Sequence, residues 1–231
     1  PYVVELIGSA VEREDELDLE LFQKPNILMS DVLARMCARE TERQTLQTTG
    51  PDQIIALKEL AVSALGDSEG SFNEDLIKNA GFFDQDLVKL ESHPLLNRVG
   101  SADGTEKRYW FKYEFVPYLL AANRLVEEIR LLHEGKVPSL NNDLVRLMKQ
   151  FSNGAGQLLD HVQGAWDEAL PLSVLRTVLE SSYDADANDI AIFLIHLFAT
   201  LSRSQSKSRA ELTQTVFGTL YGLNTENSPV I

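Results

Sequence analysis

The spacing of hydrophobic residues predicts helices along most of the chain, because apolar side chains recur at the three-to-four residue interval of a helix that buries one face. Ser30 is the predicted N-cap of the second helix, and Ser71 with Glu74 is a predicted capping box that opens a short helix. A later pair, Ser208 with Glu211, has the same spacing. The other segments with this spacing are 2–13, 54–65, 84–90 and several stretches after residue 138.

The stretch from residue 108 to residue 125 predicts a strand that turns directly into an amphipathic helix. In the predicted strand, Tyr109, Phe111 and Tyr113 alternate with Trp110 and Lys112, which is typical of a strand with two different faces. Pro117 fits the first helical turn, where a missing N–H costs nothing. The helix has an apolar stripe that consists of Phe115, Tyr118, Leu119, Ala122, Leu125, Val126, Ile129 and Leu132.

Residues 95–99 form a second predicted strand, and the turn at 100–104 joins the two strands into a hairpin. Three helices followed by a β-hairpin is the order of a winged helix. The sequence therefore predicts a mainly α fold. Its predicted parts are a small helical bundle (1–50), a winged-helix domain with one short β-hairpin (51–113) and an all-α helical domain (114–231). The nearly all-apolar segment 190–201 is predicted to be central to that last domain.

Composition narrows the class of protein. The chain has 231 residues with 44% hydrophobic content, which is enough for a packed core, and a net charge of −14. An acidic surface repels phosphate backbones, so binding to nucleic acid is disfavoured. Cys37 is the single cysteine, which together with the acidic composition predicts a reducing, cytoplasmic location. No apolar run is long enough to span a bilayer, so no membrane association is predicted.

Motifs for catalysis are absent from the sequence. It contains no phosphate-binding loop, no dinucleotide-binding glycine motif and no nucleophile elbow, and its histidines and cysteine lack zinc-site spacing. We therefore predict no catalytic residue, no metal ligand and no enzymatic activity.

Four side chains are of types that often act in catalysis or ligand binding, but each is predicted to have a structural role. His161, with Asp160, Asp167 and Glu168 nearby, is predicted to lie on a solvated helix face rather than in a metal or acid–base site. His196 is predicted to be a core or interface residue, and Cys37 a small buried hydrophobe. Trp110 could stack on a nucleic-acid base, but it is predicted to belong to the hairpin core because a surrounding field of Lys and Arg is missing.

Residues 1–135 resemble the segment that follows the nucleotide-binding core in NACHT-type STAND ATPases, where a small helical domain, a winged helix and a second helical region occur in this order. Residues 1–7 look like the start of the small helical domain, and 56–61 like the first winged-helix helix. The run 39–43 is predicted to be a solvated face with local ion pairs, but it is also similar to the R-E-x-x-R of that domain's last long helix. Residues 111–122 are similar to the family's F-x-H-x-x-[FL]-x-[DE]-Y-[FL]-x-A element.

The resemblance implies two nucleotide contacts. Pro1 would pack against adenine, and Tyr113 stands where the family has a histidine that contacts the β-phosphate of bound ADP. A tyrosine hydroxyl can donate a hydrogen bond, but the side chain is longer and neutral. ATP or ADP would belong to a larger parent protein, since this chain lacks the Walker motifs and is expected to contain no cofactor of its own.

The resemblance further implies that the chain is a non-catalytic regulatory segment of a signalling ATPase, which acts as a nucleotide-dependent clamp. Its partners would be the upstream nucleotide-binding domain of the same polypeptide and further copies on activation, and bacterial defence is a common role in such proteins. One alternative is a winged-helix regulator that binds nucleic acid, and another is a helical enzyme of an unrecognised type. The start at Pro1 also suggests a piece of a longer chain.

Overall fold

A computed structural model describes residues 25–43, 46–66, 70–100, 107–152, 156–166, 170–181 and 187–204. These residues form eight helices and one three-stranded antiparallel sheet. The predicted mainly α fold with a short hairpin is therefore confirmed. The chain divides into two compact units, Pro1–Arg124 and Leu125–Ile231. The predicted helix at 2–13 and the predicted capping box at Ser208 and Glu211 lie outside the described residues.

The first unit begins with two helices, α1 (Pro25–Glu42) and α2 (Gly50–Gly66), that pack against each other. The prediction that Ser30 caps α1 is wrong, because the helix starts five residues earlier at a proline, which suits a first helical turn. The Ser30 hydroxyl instead donates to the backbone carbonyl of Asn26 at 2.8 Å. It also accepts a hydrogen bond from the Asn123 side-chain amide at 2.9 Å.

The remaining elements of this unit are β1 (Phe72–Asn73), α3 (Glu74–Ala80), a 3₁₀ helix (Leu90–Ser92), β2 (Leu96–Gly100) and β3 (Lys107–Phe111). The strand order is β1–β3–β2. Both pairs are antiparallel, with Phe72 opposite Tyr109 and Leu96 opposite Phe111. The observed order is helix, strand, helix, 3₁₀ helix and hairpin, whereas the sequence predicts three helices followed by the hairpin.

Two local predictions in this region are wrong. The segment 84–90 forms turns that lead into the 3₁₀ helix rather than an α-helix, because an isolated helix this short is marginal without further support. The cap of α3 is Asn73 rather than Ser71, since β1 continues to Asn73 and the helix begins at Glu74. The Asn73 side-chain oxygen accepts from the Leu76 N–H at 3.0 Å, whereas the Ser71 hydroxyl accepts from Arg108 at 3.2 Å.

Replacement of the observed cap tests this assignment. We expect Asn73→Ala to lower the free energy of unfolding by about 1 kcal/mol, because the Leu76 N–H loses its acceptor. Asn73→Ser retains an acceptor and is the matched control. Urea unfolding measures both changes, and a larger loss for Ser71→Ala than for Asn73→Ala would contradict the assignment.

The helix α4 (Phe115–His133) follows the hairpin, and Pro117 lies in its first turn as predicted. The predicted apolar stripe is buried from Leu119 onward, whereas Phe115 and Tyr118 are half-buried. The helices that lie wholly within the second unit are α5 (Asn142–Gln150), α6 (Gly156–Ala165), α7 (Val174–Ser181) and α8 (Ala187–Ser204).

Helix α8 contacts α5, α6 and α7, which confirms that it is central to this unit. Phe193 and Leu197 lie on its buried face. His196, predicted to be a core or interface residue, does not lie in the core, because its side chain is exposed on α8. A helix packed on one side keeps a solvent-facing side even when its sequence is nearly all apolar. In the described part of the chain, no helix combines the length and the apolar content needed to cross a bilayer.

Candidate functional site

The junction between β3 and α4 is built on a rigid aromatic core. Tyr109 and Phe111 point inward from β3, as their alternation predicts. The ring of Phe72 lies 6.5 Å from that of Tyr109, stacked, and 5.5 Å from that of Phe111, edge to face. The Tyr109 hydroxyl donates to the Leu87 carbonyl at 3.4 Å, and burial raises the pKa of this hydroxyl. The packing of these rings holds β3 in place, so the side chains on its other face have a defined position.

Trp110 lies on that other face of β3, and Lys112 directly follows the end of the strand. Trp110 is 38% exposed, so the prediction that it belongs to the hairpin core is wrong. The physical reason is the two-residue period of a strand, because a strand that buries Tyr109 and Phe111 has to turn the residue between them outward. Exposed tryptophan is an unusual surface residue and suits contact with a flat ligand or another apolar surface.

A surface cleft of about 470 Å³ lies at this junction. Tyr113, the residue singled out by the family resemblance, is one of its lining residues. The end of α2 and the segment before β1 supply the opposite side. The lining consists of Ala64, Leu65, Gly70, Ser71, Trp110, Phe111, Lys112, Tyr113, Glu114, Pro117 and Tyr118.

The cleft combines a cation, hydroxyl groups and aromatic rings. The Lys112 ammonium lies 5.8 Å from the centre of the Tyr113 ring, and Phe115 tilts against that ring with 6.3 Å between centroids. The lining combines one ammonium group, the hydroxyls of serine and tyrosine, and aromatic faces, with Glu114 as its acidic member. This set can hold an anionic group beside a planar ring.

Sequence reasoning found part of this site. Tyr113 was identified from its place in the family element, and the structure places it in the cleft. Pro1, the other predicted nucleotide contact, lies outside the described residues. Lys112 and Ser71 were not identified as lining residues. Strand alternation could have placed Lys112 beside Trp110, but nothing local to Ser71 indicates that it lies across from them.

Cys37 and His161 do not line the cleft. Cys37 is fully buried, which confirms its prediction, and desolvation followed by the charge of Glu40 raises its pKa to about 12. His161 is half-buried rather than fully solvated, and burial lowers its pKa although Asp160 opposes the shift. Asp167 lies outside the described residues, as does Glu168. Within the described ranges, no group of three or more potential ligands is placed to hold a metal ion.

The run 39–43, predicted to be a solvated face with local ion pairs, contains one such pair but is not fully solvated. Glu40 is 7% exposed, and its carboxylate lies 3.6 Å from the guanidinium of Arg43. The Thr41 hydroxyl is directed at the backbone carbonyls of Cys37 and Thr48, at 3.4 and 3.3 Å. This end of α1 is therefore packed against the connection that follows it.

In the described part of the hairpin, two basic side chains form ion pairs. Lys107 pairs with Glu74 at 3.0 Å, and Arg98 pairs with Glu91. The segment in the place of a recognition helix presents Phe83 and Val88 to solvent, with exposures of 55% and 76%. These features weigh against the nucleic-acid alternative, because duplex binding requires unneutralised cations along the contact surface.

Comparison with models of protein families, with curated proteins and with solved structures found no match for this chain. Inference about its function therefore depends on its own residues and on the resemblance described above.

Proposed function

We propose that this chain is a non-catalytic regulatory and interaction segment of a larger NACHT-type STAND ATPase, which acts in the cytoplasm as one side of a nucleotide-dependent clamp. The observation that supports this proposal best is the position of Tyr113. The residue that the family element aligns with the phosphate-contacting histidine lines a cleft together with a lysine and an exposed tryptophan.

The chemistry of the cleft fits a nucleotide held by an upstream core. Lys112 would contact a phosphate oxygen, since an ammonium group is a compact charge with three hydrogen-bond donors. The Tyr113 hydroxyl would donate to the same phosphate in place of the family's histidine. Trp110 offers a ring face on which a base could stack. In this arrangement the Tyr113 hydroxyl would orient the phosphate, and the Lys112 ammonium would balance part of its negative charge.

A clamp of this kind switches only if the nucleotide contacts differ between its two states. ADP would be held between the upstream core and this cleft in the resting state. Exchange for ATP would weaken the contacts of Tyr113 and Lys112, so that the segment turns away and exposes surfaces for assembly of further copies. A role in bacterial defence is part of the proposal only because it is common among proteins of this family.

The gene upstream of Pro1 provides the decisive test. We expect a Walker A motif, GxxxxGK[ST], roughly 200–300 residues before Pro1, because nucleotide-binding cores of the P-loop type are about that size. Absence of a P-loop anywhere upstream would refute the proposed function.

Binding to the cleft can be measured on the chain itself. We expect ADP to bind weakly, with Kd of about 1 mM, because the core that completes the site is missing. Trp110 fluorescence should report the binding. Lys112→Ala should weaken it by about fivefold to tenfold, which is the effect of losing one charge-assisted hydrogen bond near the surface.

Two matched variants control this titration. Lys89 is exposed and does not line the cleft, so Lys89→Ala should leave the affinity for ADP unchanged. Trp110→Phe should abolish the fluorescence response while Trp166 remains. No response up to about 10 mM ADP, or an equal loss in the Lys112 and Lys89 variants, would contradict the assignment of the cleft.

A further inference from the structure

A buried carboxylate holds the connection between α1 and α2. Asp86 is fully buried, and its two oxygens accept three hydrogen bonds from residues almost forty positions earlier. The Gln47 N–H donates to Oδ1 at 2.7 Å, and the Thr48 N–H and hydroxyl donate to Oδ2 at 2.9 and 2.6 Å. Within the described ranges no Lys or Arg forms an ion pair with Asp86, so these donors are what compensate its burial.

Thr48 links this carboxylate to both helices. Its hydroxyl accepts from the Phe83 N–H at 3.3 Å, and its backbone carbonyl accepts from the Gln53 side-chain amide at 2.7 Å. The same amide nitrogen of Gln53 donates to the Thr41 hydroxyl at 3.1 Å. We call the set Gln47, Thr48, Gln53 and Asp86 the Asp86 latch. Through the Thr41 hydroxyl the latch reaches the end of α1. It thereby connects α1 with the start of α2 and with the segment before β2 in one network.

The latch lies at the border between the predicted small helical domain and the predicted winged helix. At that border, residue 50, α1 and α2 approach closely, since a Cβ placed on Gly50 would lie 2.8 Å from the Ala38 Cα. Any rotation of the winged-helix elements relative to α1 has to change the backbone at this connection. Such a change would pull Gln47 and Thr48 away from Asp86.

We propose that the Asp86 latch is a resting-state restraint, which holds the α1–α2 connection and has to open before α1 and the winged-helix elements turn relative to each other. Opening would leave a buried carboxylate without its donors, which is costly. The restraint is therefore either closed or open, and does not stretch gradually. Its role in a nucleotide-driven switch rests on the proposed function, whereas its existence is a property of this chain.

Hydrogen exchange of the chain tests the restraint directly. In Asp86→Asn one of the two oxygens becomes an NH₂ group, which cannot accept a hydrogen bond, so a buried donor loses its partner. We expect the amides of residues 46–49 to exchange at least about tenfold faster than in the wild type. Asp84 is exposed and pairs with Lys78 at 3.0 Å, so Asp84→Asn is the matched control and should leave these amides protected.

A second pair of variants keeps the test decisive if Asp86→Asn fails to fold. Thr48→Val preserves the shape of the side chain but removes its hydroxyl, whereas Thr48→Ser keeps the hydroxyl. We expect faster exchange in the valine variant and nearly wild-type exchange in the serine variant. Unchanged exchange at 46–49, or a uniform loss of protection throughout residues 25–124, would overturn the proposal.

Distance measurements test the movement itself. Ala34 on α1 and Lys89 near the 3₁₀ helix are both exposed, so cysteines at these positions can be spin-labelled in a Cys37→Ala background. We expect a narrow distance distribution in the otherwise unchanged chain and in Asp84→Asn, and a broader one in Asp86→Asn and Thr48→Val. A distribution that stays narrow in both latch variants would overturn the restraint. That result would leave the proposed function intact. A missing upstream P-loop would instead refute the proposed function and leave the restraint intact.

Discussion

Gly50→Ala is expected to lower the free energy of unfolding of the first unit by about 2–3 kcal/mol, the upper part of the range of about 1–3 kcal/mol for overpacking a well-packed contact. The added Cβ would lie 2.8 Å from the Ala38 Cα and 2.9 Å from the Ala38 backbone nitrogen. These are backbone atoms, so no side-chain rotation can relieve the clash. Instead α1 and α2 have to move apart, which separates their apolar faces.

Gly156→Ala is the matched control, because this glycine also begins a helix and a Cβ there has no neighbour within 4 Å. We expect it to be neutral or slightly stabilising, since alanine is a better helix former than glycine. Urea unfolding followed by circular dichroism measures both variants. Equal stability of the Gly50 and Gly156 variants would show that α1 and α2 do not approach as closely as the structure indicates.

Acid is expected to destabilise the first unit through His93. This side chain is buried, and burial lowers its pKa from 6.5 to about 4. Its Nδ1 accepts from the Leu95 N–H at 3.2 Å, and its Nε2 faces the Gln53 side-chain oxygen at 3.4 Å. The neutral ring satisfies both contacts, whereas a proton added to Nδ1 would face another N–H group.

The direction of the change in stability follows from the pKa values of His93 in the unfolded and the folded chain. Between pH 6.5 and about 4 the unfolded chain binds the proton and the folded chain does not, so stability falls as the pH falls through this window. The loss should reach about 3 kcal/mol, because a difference of roughly 2.5 pKa units corresponds to 1.36 kcal/mol for each unit. Above pH 6.5 His93 should add no pH dependence.

His93→Asn isolates this contribution from that of the carboxylates. Asparagine does not titrate, and its side-chain oxygen can accept from the N–H two residues later, as in an Asx turn. We expect the variant to be less stable at pH 7 but to lose less stability between pH 7 and pH 4 than the wild type. His196 is exposed, so His196→Asn should keep the wild-type pH dependence. A wild-type slope in His93→Asn would contradict the prediction.

The predictions from sequence succeeded where they depended on a local period. The alternation in β3 predicts that Tyr109 and Phe111 lie on one face, and both are buried. The stripe in α4 predicts burial of Leu125 and Ile129, which are fully buried. A strand has a period of two residues and a helix a period of 3.6, so a few side chains are enough to define which face is apolar.

The predictions failed where a short element depends on a distant partner. Strand β1 has two residues, too few for a pattern, and it exists because Phe72 pairs with Tyr109 in β3. The capping box at Ser71 was a reasonable local motif, but pairing of β1 extends to Asn73 and moves the start of α3 beyond it. The candidate site was found at Tyr113 only through the family element, and its charged neighbour Lys112 was recognised only from the cleft.

The sequence by itself determined the mainly α composition of the described part of the chain, the hairpin and the buried faces of the longer helices. These follow from backbone geometry, which is the same in every helix or strand. Only the tertiary structure decided that Asp86 is buried, that Gly50 touches α1 and that Tyr113 shares a cleft with Ser71. The physical reason is separation along the chain: Gln47 and Asp86 are 39 residues apart, and only the joint packing of several elements brings such residues together.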